Sequence, residues 1–217
     1  MPTEVLLALI GFAFVTSITP GPNNIMLLAS GVNYGLRRSV PHMLGIGFGF
    51  IVMLLGVGAG LGTLLHSHPW LHDALKLASV AYMLWLAWAI ATSGPVARET
   101  APTLSPSQTK PAAGSFKGRP MTFLQAALFQ WVNPKAWAMA LTAMAVYRLP
   151  DTGFESVVMI ALVFGAINLP CVSVWTGFGV ALRRLLQDPR RVRVFNLAMA
   201  ALLVLSFLPL VLEPGSF

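Results

Sequence analysis

The chain has 217 residues, of which 56% are hydrophobic and 10% charged. A water-soluble domain carries roughly 25% charged residues, so a protein whose whole surface faces water is excluded. The net charge of +7 does not point to nucleic acid, because the basic residues sit in a few loops between long apolar blocks.

Six such blocks follow one another. Nothing between Val5 and Tyr34 is charged. The next blocks run from Ser39 to Asp73, from Leu77 to Gly94, from Met121 to Tyr147 with Lys135 as its one charge, from Val157 to Leu182, and from Val194 to Leu212. Each exceeds the roughly 17–20 residues that cross a hydrocarbon core. In lipid the backbone must satisfy its own hydrogen bonds, so each block is expected to be a helix. The first is expected to be an uncleaved span: Met1-Pro2-Thr3-Glu4 lacks a basic leader region, and the apolar run outlasts a signal core.

Arg37 and Arg38 follow span one. Arg98, Lys110, Lys117 and Arg119 lie between spans three and four, and Arg183, Arg184, Arg190, Arg191 and Arg193 between spans five and six. The alternate loops carry only Lys76 and Arg148. Cytoplasmic loops are rich in Lys and Arg. Both termini are therefore expected on the non-cytoplasmic side, with the basic loops against anionic lipid.

Residues 94–120 contain Pro95, Pro102, Pro106, Pro111 and Pro120 among small and basic residues, the composition of a flexible cytoplasmic linker. It separates a first three-helix repeat, residues 1–93, from a second, residues 121–217. A shift of 114 residues places Pro20 on Pro134 and Gly56 on Pro170, so helix breakers are expected at matching sites. Three spans per half force opposite orientations. The fold class expected is an all-α membrane protein with six transmembrane helices as two inverted three-helix repeats, the first and fourth helices broken at mid-membrane.

The first break is Ser17-Ile18-Thr19-Pro20-Gly21-Pro22-Asn23-Asn24. Two prolines flanking a glycine open the helix. The helix before the break ends in free carbonyls with partial negative charge, and the one after it begins with free N–H groups and partial positive charge. These opposite poles match a zwitterion, with Asn23 and Asn24 adding neutral donors and acceptors. A simple proline kink is the alternative.

Span four repeats the theme in Gln130-Trp131-Val132-Asn133-Pro134-Lys135. A lysine deep in a span costs at least ~2.5–3.5 kcal/mol. Lys135 is expected to bind a substrate carboxylate or to compensate exposed carbonyl ends. Asn168, before Pro170, is expected either to complete the polar site or to make a helix–helix hydrogen bond. The substrate-binding candidates are Pro20, Gly21, Pro22, Asn23, Asn24, Gln130, Asn133, Pro134, Lys135 and Asn168.

The remaining features have plainer readings. The glycines of span two suit close helix packing. His66, His68 and His72 beside Asp73 would be a zinc set only by coincidence of loop histidines, and no metal site is expected. His42 is read as an interfacial residue, with proton shuttling as the alternative. Cys171 is the only cysteine, which rules out thiol-pair chemistry. All seven acids lie in loops or at span ends, which argues against a metal-cation exporter. No nucleophile–base set or phosphate loop occurs, so neither an enzyme nor a cofactor is expected.

The chain resembles the LysE/RhtB family of amino-acid exporters over nearly its whole length. The resemblance is carried by Thr19-Pro20-Gly21-Pro22-Asn23-Asn24, Asn33-Tyr34-Gly35-Leu36-Arg37, Ala81-Tyr82-Met83-Leu84-Trp85-Leu86-Ala87-Trp88 and Asn133-Pro134-Lys135. Pro-Gly-Pro-Asn-Asn and the run from Trp85 to Ser93 look most like the cysteine/O-acetylserine exporter branch. The resemblance implies secondary-active export of a small amino acid or derivative across a bacterial inner membrane, with protons as the candidate coupling ion and a homo-oligomer open. Some members carry an acid within span five, where this chain reads Asn168-Leu169-Pro170-Cys171. Two other functions are weighed against export: a non-transporting scaffold or sensor, and a metal or small-ion exporter.

Overall fold

The computed structural model describes residues 1–93, 119–149, 152–186 and 188–212. The expected linker over 94–120 lies almost wholly outside them. Among the described residues the chain is helical and contains no strand.

Helix α1 (Thr3–Ile18) stops because Thr19 precedes a proline, which pushes it to extended backbone (φ −65°, ψ 145°). Helix α2 (Pro22–Tyr34) restarts with Pro22 in its first turn, where a missing N–H costs nothing. The two are bent by 52°. At the far end of α2, Gly35 turns the chain with φ +80°, a conformation that favours glycine, and α3 (Leu36–Gly56) begins at once.

Helix α3 passes through a π turn at Val57–Leu61, where Gly60 has φ +118°, into α4 (Gly62–Ser67). Arg148 donates to the Gly58 carbonyl at this irregularity, 3.3 Å away. Helix α5 covers Pro69–Ala91. Helix α6 (Phe123–Phe129) opens on a capping box in which Thr122 and Gln125 satisfy each other's backbone. A 3-10 turn, Gln130–Val132, leads to the second break. Helix α7 (Pro134–Tyr147) starts with Pro134 in its first turn, and the Asn133 side chain caps it by accepting from the Lys135 N–H at 3.2 Å. Helices α8 (Glu155–Arg183) and α9 (Pro189–Leu212) complete the chain.

Four stretches are long and apolar enough to cross a membrane one by one: Leu36–Leu65, Asp73–Ala91, Glu155–Arg183 and Pro189–Leu208. The bent pair α1–α2 makes a fifth when counted as one span. The segment expected as span four is divided at Asn133 into a short apolar helix, Phe123–Val132, and the 14-residue α7. Neither part reaches span length alone.

The second pair of expected breakers behaves differently. Gly56 lies immediately before the π turn, but Pro170 sits inside an unbroken α8. Pro170 is exposed, and a 29-residue helix packed against α1, α2 and α3 keeps its course across one missing bond.

Large apolar side chains point outward along the long helices, among them Leu7, Leu77, Leu162, Phe178, Val194 and Leu205. In water such a surface would be costly; in lipid it is the solvent-facing side. Inside lie two apolar clusters. One joins α2, α3, α5, α6 and α9 around Leu27, Met83, Phe129 and Leu203. The other joins α1, α3, α7 and α8 around Leu9, Met53, Ala140 and Phe164. The two helix breaks meet between them.

Candidate functional site

The last turn of α1 exposes carbonyls that no backbone N–H reaches, and side chains from three other elements supply the donors. The Thr19 hydroxyl donates to Thr16 O at 3.1 Å. Asn24 donates through Nδ2 to both Ser17 O and Thr19 O, each at 2.8 Å. Trp175 Nε1, from α8, donates to Ile18 O at 2.9 Å. Lys135 Nζ, from the start of α7, donates to Thr19 O at 2.8 Å, to Thr19 Oγ1 at 2.9 Å and to Pro20 O at 3.3 Å.

Of the two roles expected for Lys135, compensation of carbonyl ends is the one present here. The positive ammonium lies at the negative end of α1. Its passage needs Gly21: a Cβ there would stand 2.6 Å from Lys135 Cδ. Gly21 itself is extended (φ −176°, ψ 178°), so the requirement is for space and not for an unusual backbone.

The second break is held with equal economy. Asn23 and Gln130 form a reciprocal amide pair, Asn23 Nδ2 to Gln130 Oε1 at 2.9 Å and Gln130 Nε2 to Asn23 Oδ1 at 3.2 Å. Gln130 also donates to Ala126 O at 2.9 Å. Trp137 Nε1 donates to Trp131 O at 2.9 Å. From α8, Asn168 Nδ2 donates to Ser17 Oγ at 3.3 Å, while its buried Oδ1 has no hydrogen-bond partner.

These groups border a narrow, open-mouthed pocket with a free volume of about 20 Å³. Gly21, Asn23, Asn24, Gln130, Asn133, Lys135 and Asn168 all line it, so residues far apart in the chain converge. Pro20, Pro22 and Pro134 shape the breaks without lining the pocket. Thr16, Ser17, Phe50, Ala136 and Met139 complete the wall. Ser17 opens the first break but was not among the candidates, and the sequence held no signal for the other four.

His42 is buried inside the protein: it is 2% exposed, and neither ring nitrogen has a hydrogen-bond partner. It lines a second pocket with Ser30, Asn33, Tyr34, Ser93 and Arg119. Beside that pocket Asn33 and Asn196 bond at 3.0 Å, and Asn196 donates to Ser93 O at 2.8 Å. The side chains of His66 and His72 lie outside the described ones, and among the described residues no group of metal-ligating side chains occurs.

An apolar helical body, two broken helices, and a polar pocket with a lysine at their meeting point follow the plan of a membrane transporter. The chain belongs to the family of LysE type translocators, whose model matches residues 14–212. It is 31% identical to the cysteine/O-acetylserine efflux protein of Klebsiella pneumoniae, over 98% of this chain and 100% of that one. The proteins of the same description from Escherichia coli and Shigella sonnei are each 32% identical, over 94% of this chain and 96% of theirs. No solved structure matches the chain significantly.

Proposed function

We propose that the protein exports a small amino acid or a close derivative from the cytoplasm across the bacterial inner membrane. One observation carries this reading. The carbonyl end of α1, the first turns of α2 and α7, Lys135 and five carboxamide residues share one pocket. An amino acid has an ammonium and a carboxylate two bonds apart, and few other solutes present both to opposite helix poles. The efflux proteins to which the chain is similar point the same way.

In this reading residues 1–93 and 121–217 are two inverted three-helix repeats joined by the 94–120 linker. The α1–α2 and α6–α7 pairs are the first and fourth of six spans, and both termini face away from the cytoplasm. Support comes from the matched starts of α2 and α7, each with proline in the first turn, and from the basic residues of alternate loops. Alternating access then consists of the two halves rocking about the pocket, with a proton gradient as the candidate drive. The carboxylate is held by Lys135 and the helix N-termini. The ammonium is held by Asn23, Asn24, Asn133 and carbonyl ends.

Counterflow of a labelled amino acid in proteoliposomes, with Lys135→Ala beside the wild type, is the test. The wild type exchanges solute and the variant does not. Undiminished exchange by the variant rejects the role given to Lys135, and no flux of any amino acid by the wild type rejects export.

A further inference from the structure

Thr19 O, Thr19 Oγ1 and Pro20 O stand 2.8, 2.9 and 3.3 Å from Lys135 Nζ. Three oxygens thus meet the three N–H bonds of one primary ammonium. The cluster sits at the negative pole of α1 and contains only acceptors for a cation. The Thr19 hydroxyl proton is already given to Thr16 O, so its lone pairs face the lysine. Asn24 Nδ2 also reaches Thr19 O at 2.8 Å, and a carbonyl has two lone pairs to share.

The group filling this cluster is a side chain from the opposite break. It enters over Gly21, where no Cβ obstructs it. Lys135 is half-buried, and both it and Gly21 line the pocket. The ammonium can therefore swing from the cluster toward the pocket interior without unpacking a helix.

We propose that this oxygen cluster is a binding site for a primary ammonium group, filled by Lys135 in the solute-free protein and ceded to the solute's own ammonium during transport. The identity of the solute rests on the export reading above. The exchange balances charge at each stage. While Lys135 occupies the cluster, its charge is compensated by carbonyl oxygens. When the solute's ammonium takes its place, the displaced lysine stands beside the solute's carboxylate. Neither cation is left unpaired in a low-dielectric interior. The site then selects solutes with an unsubstituted ammonium. Acylation of the nitrogen is not tolerated, since it removes the charge and two donors.

Ethylammonium chloride is a probe for the cluster, with tetramethylammonium chloride, which has no N–H, as control. Thermal unfolding is followed for the purified wild type and for Lys135→Met. Ethylammonium raises the melting temperature of Lys135→Met by about 2–4 °C at several-fold excess over its dissociation constant. It leaves the wild type unmoved. An equal response in both proteins, or to both salts, overturns the proposal. If Lys135→Met does not fold, Lys135→Ala, which leaves the passage over Gly21 open, serves instead. That variant gains the ethylammonium response if the site exists and stays silent if it does not.

Counterflow of L-serine against N-acetyl-L-serine supplies a second arm. Exchange of the free amino acid alone supports the cluster, and equal exchange of both overturns it while export stands. If the wild type carries neither, serine is not its solute, and the ethylammonium response decides the site.

Discussion

Gly31 and Gly179 face each other across the contact between α2 and α8: a Cβ built on either would lie 3.0 Å from the Cα of the other. The backbone is nearer still, with Thr176 O over Gly31 and Leu28 O over Gly179. A methyl group at either position must push the helices apart. Overpacking of this kind costs about 1–3 kcal/mol. Gly31→Ala and Gly179→Ala are each expected to lower the melting temperature, by about 2–4 °C per kcal/mol. Gly177→Ala, where nothing lies within 4 Å of the new Cβ, is the matched control. It is expected to leave stability unchanged or raise it slightly.

The pair formed by Asn23 and Gln130 bridges the two breaks through two hydrogen bonds. Removing one partner leaves the other unsatisfied, at a cost of about 1–3 kcal/mol. Asn23→Leu and Gln130→Leu are each expected to destabilise by that amount. The double variant is expected to lose less than the sum of the two. Denaturation of all four proteins gives the coupling energy, and strict additivity would show that the pair is not a unit.

Asn168 Oδ1 is buried without a hydrogen-bond partner and belongs to a residue that lines the pocket. A purely packing role predicts that an apolar replacement leaves transport alone. A solute-binding role predicts the opposite. Asn168→Leu is expected to fold about as well as the wild type, since the unsatisfied acceptor is removed together with one 3.3 Å hydrogen bond to Ser17. Its KM for the transported amino acid is expected to rise about tenfold, the weight of one hydrogen bond to a charged group. Unaltered KM would return Asn168 to packing.

Span count can be decided from the two ends. With six spans the N- and C-termini share a side, and with five they do not. Alkaline phosphatase fused after Phe217, and separately a protease-sensitive tag before Met1, are expected to report both ends on the non-cytoplasmic face. A split result would show that α6 and α7 together do not cross.

The breaks themselves were legible because their cause is local. A residue before proline is biased toward extended backbone, and at Thr19 and Asn133 that bias ends the helix. The same logic failed at Pro170, where packing along the flanking turns of α8 outweighs one lost bond. Lys135 was visible as a charge in an apolar block, but its partner was not: Thr19 lies 116 positions away. The caps from Trp175 to Ile18 and from Asn24 to Ser17 were equally hidden, because a tryptophan or asparagine in a span does not show which carbonyl it will meet. That His42 is buried among its neighbours was not legible either, since nothing in the sequence shows what packs around it.

The prolines on either side of residue 21 are sufficient to part the two helices. The glycine between them then records something else. With its extended backbone it is no hinge, and its missing side chain is a socket cut to the width of a lysine stem from the other half of the molecule. Positions 21 and 135 therefore behave as one unit written in two places. An engineer who enlarges the first must shorten or reroute the second, and a change at either one alone reports on both.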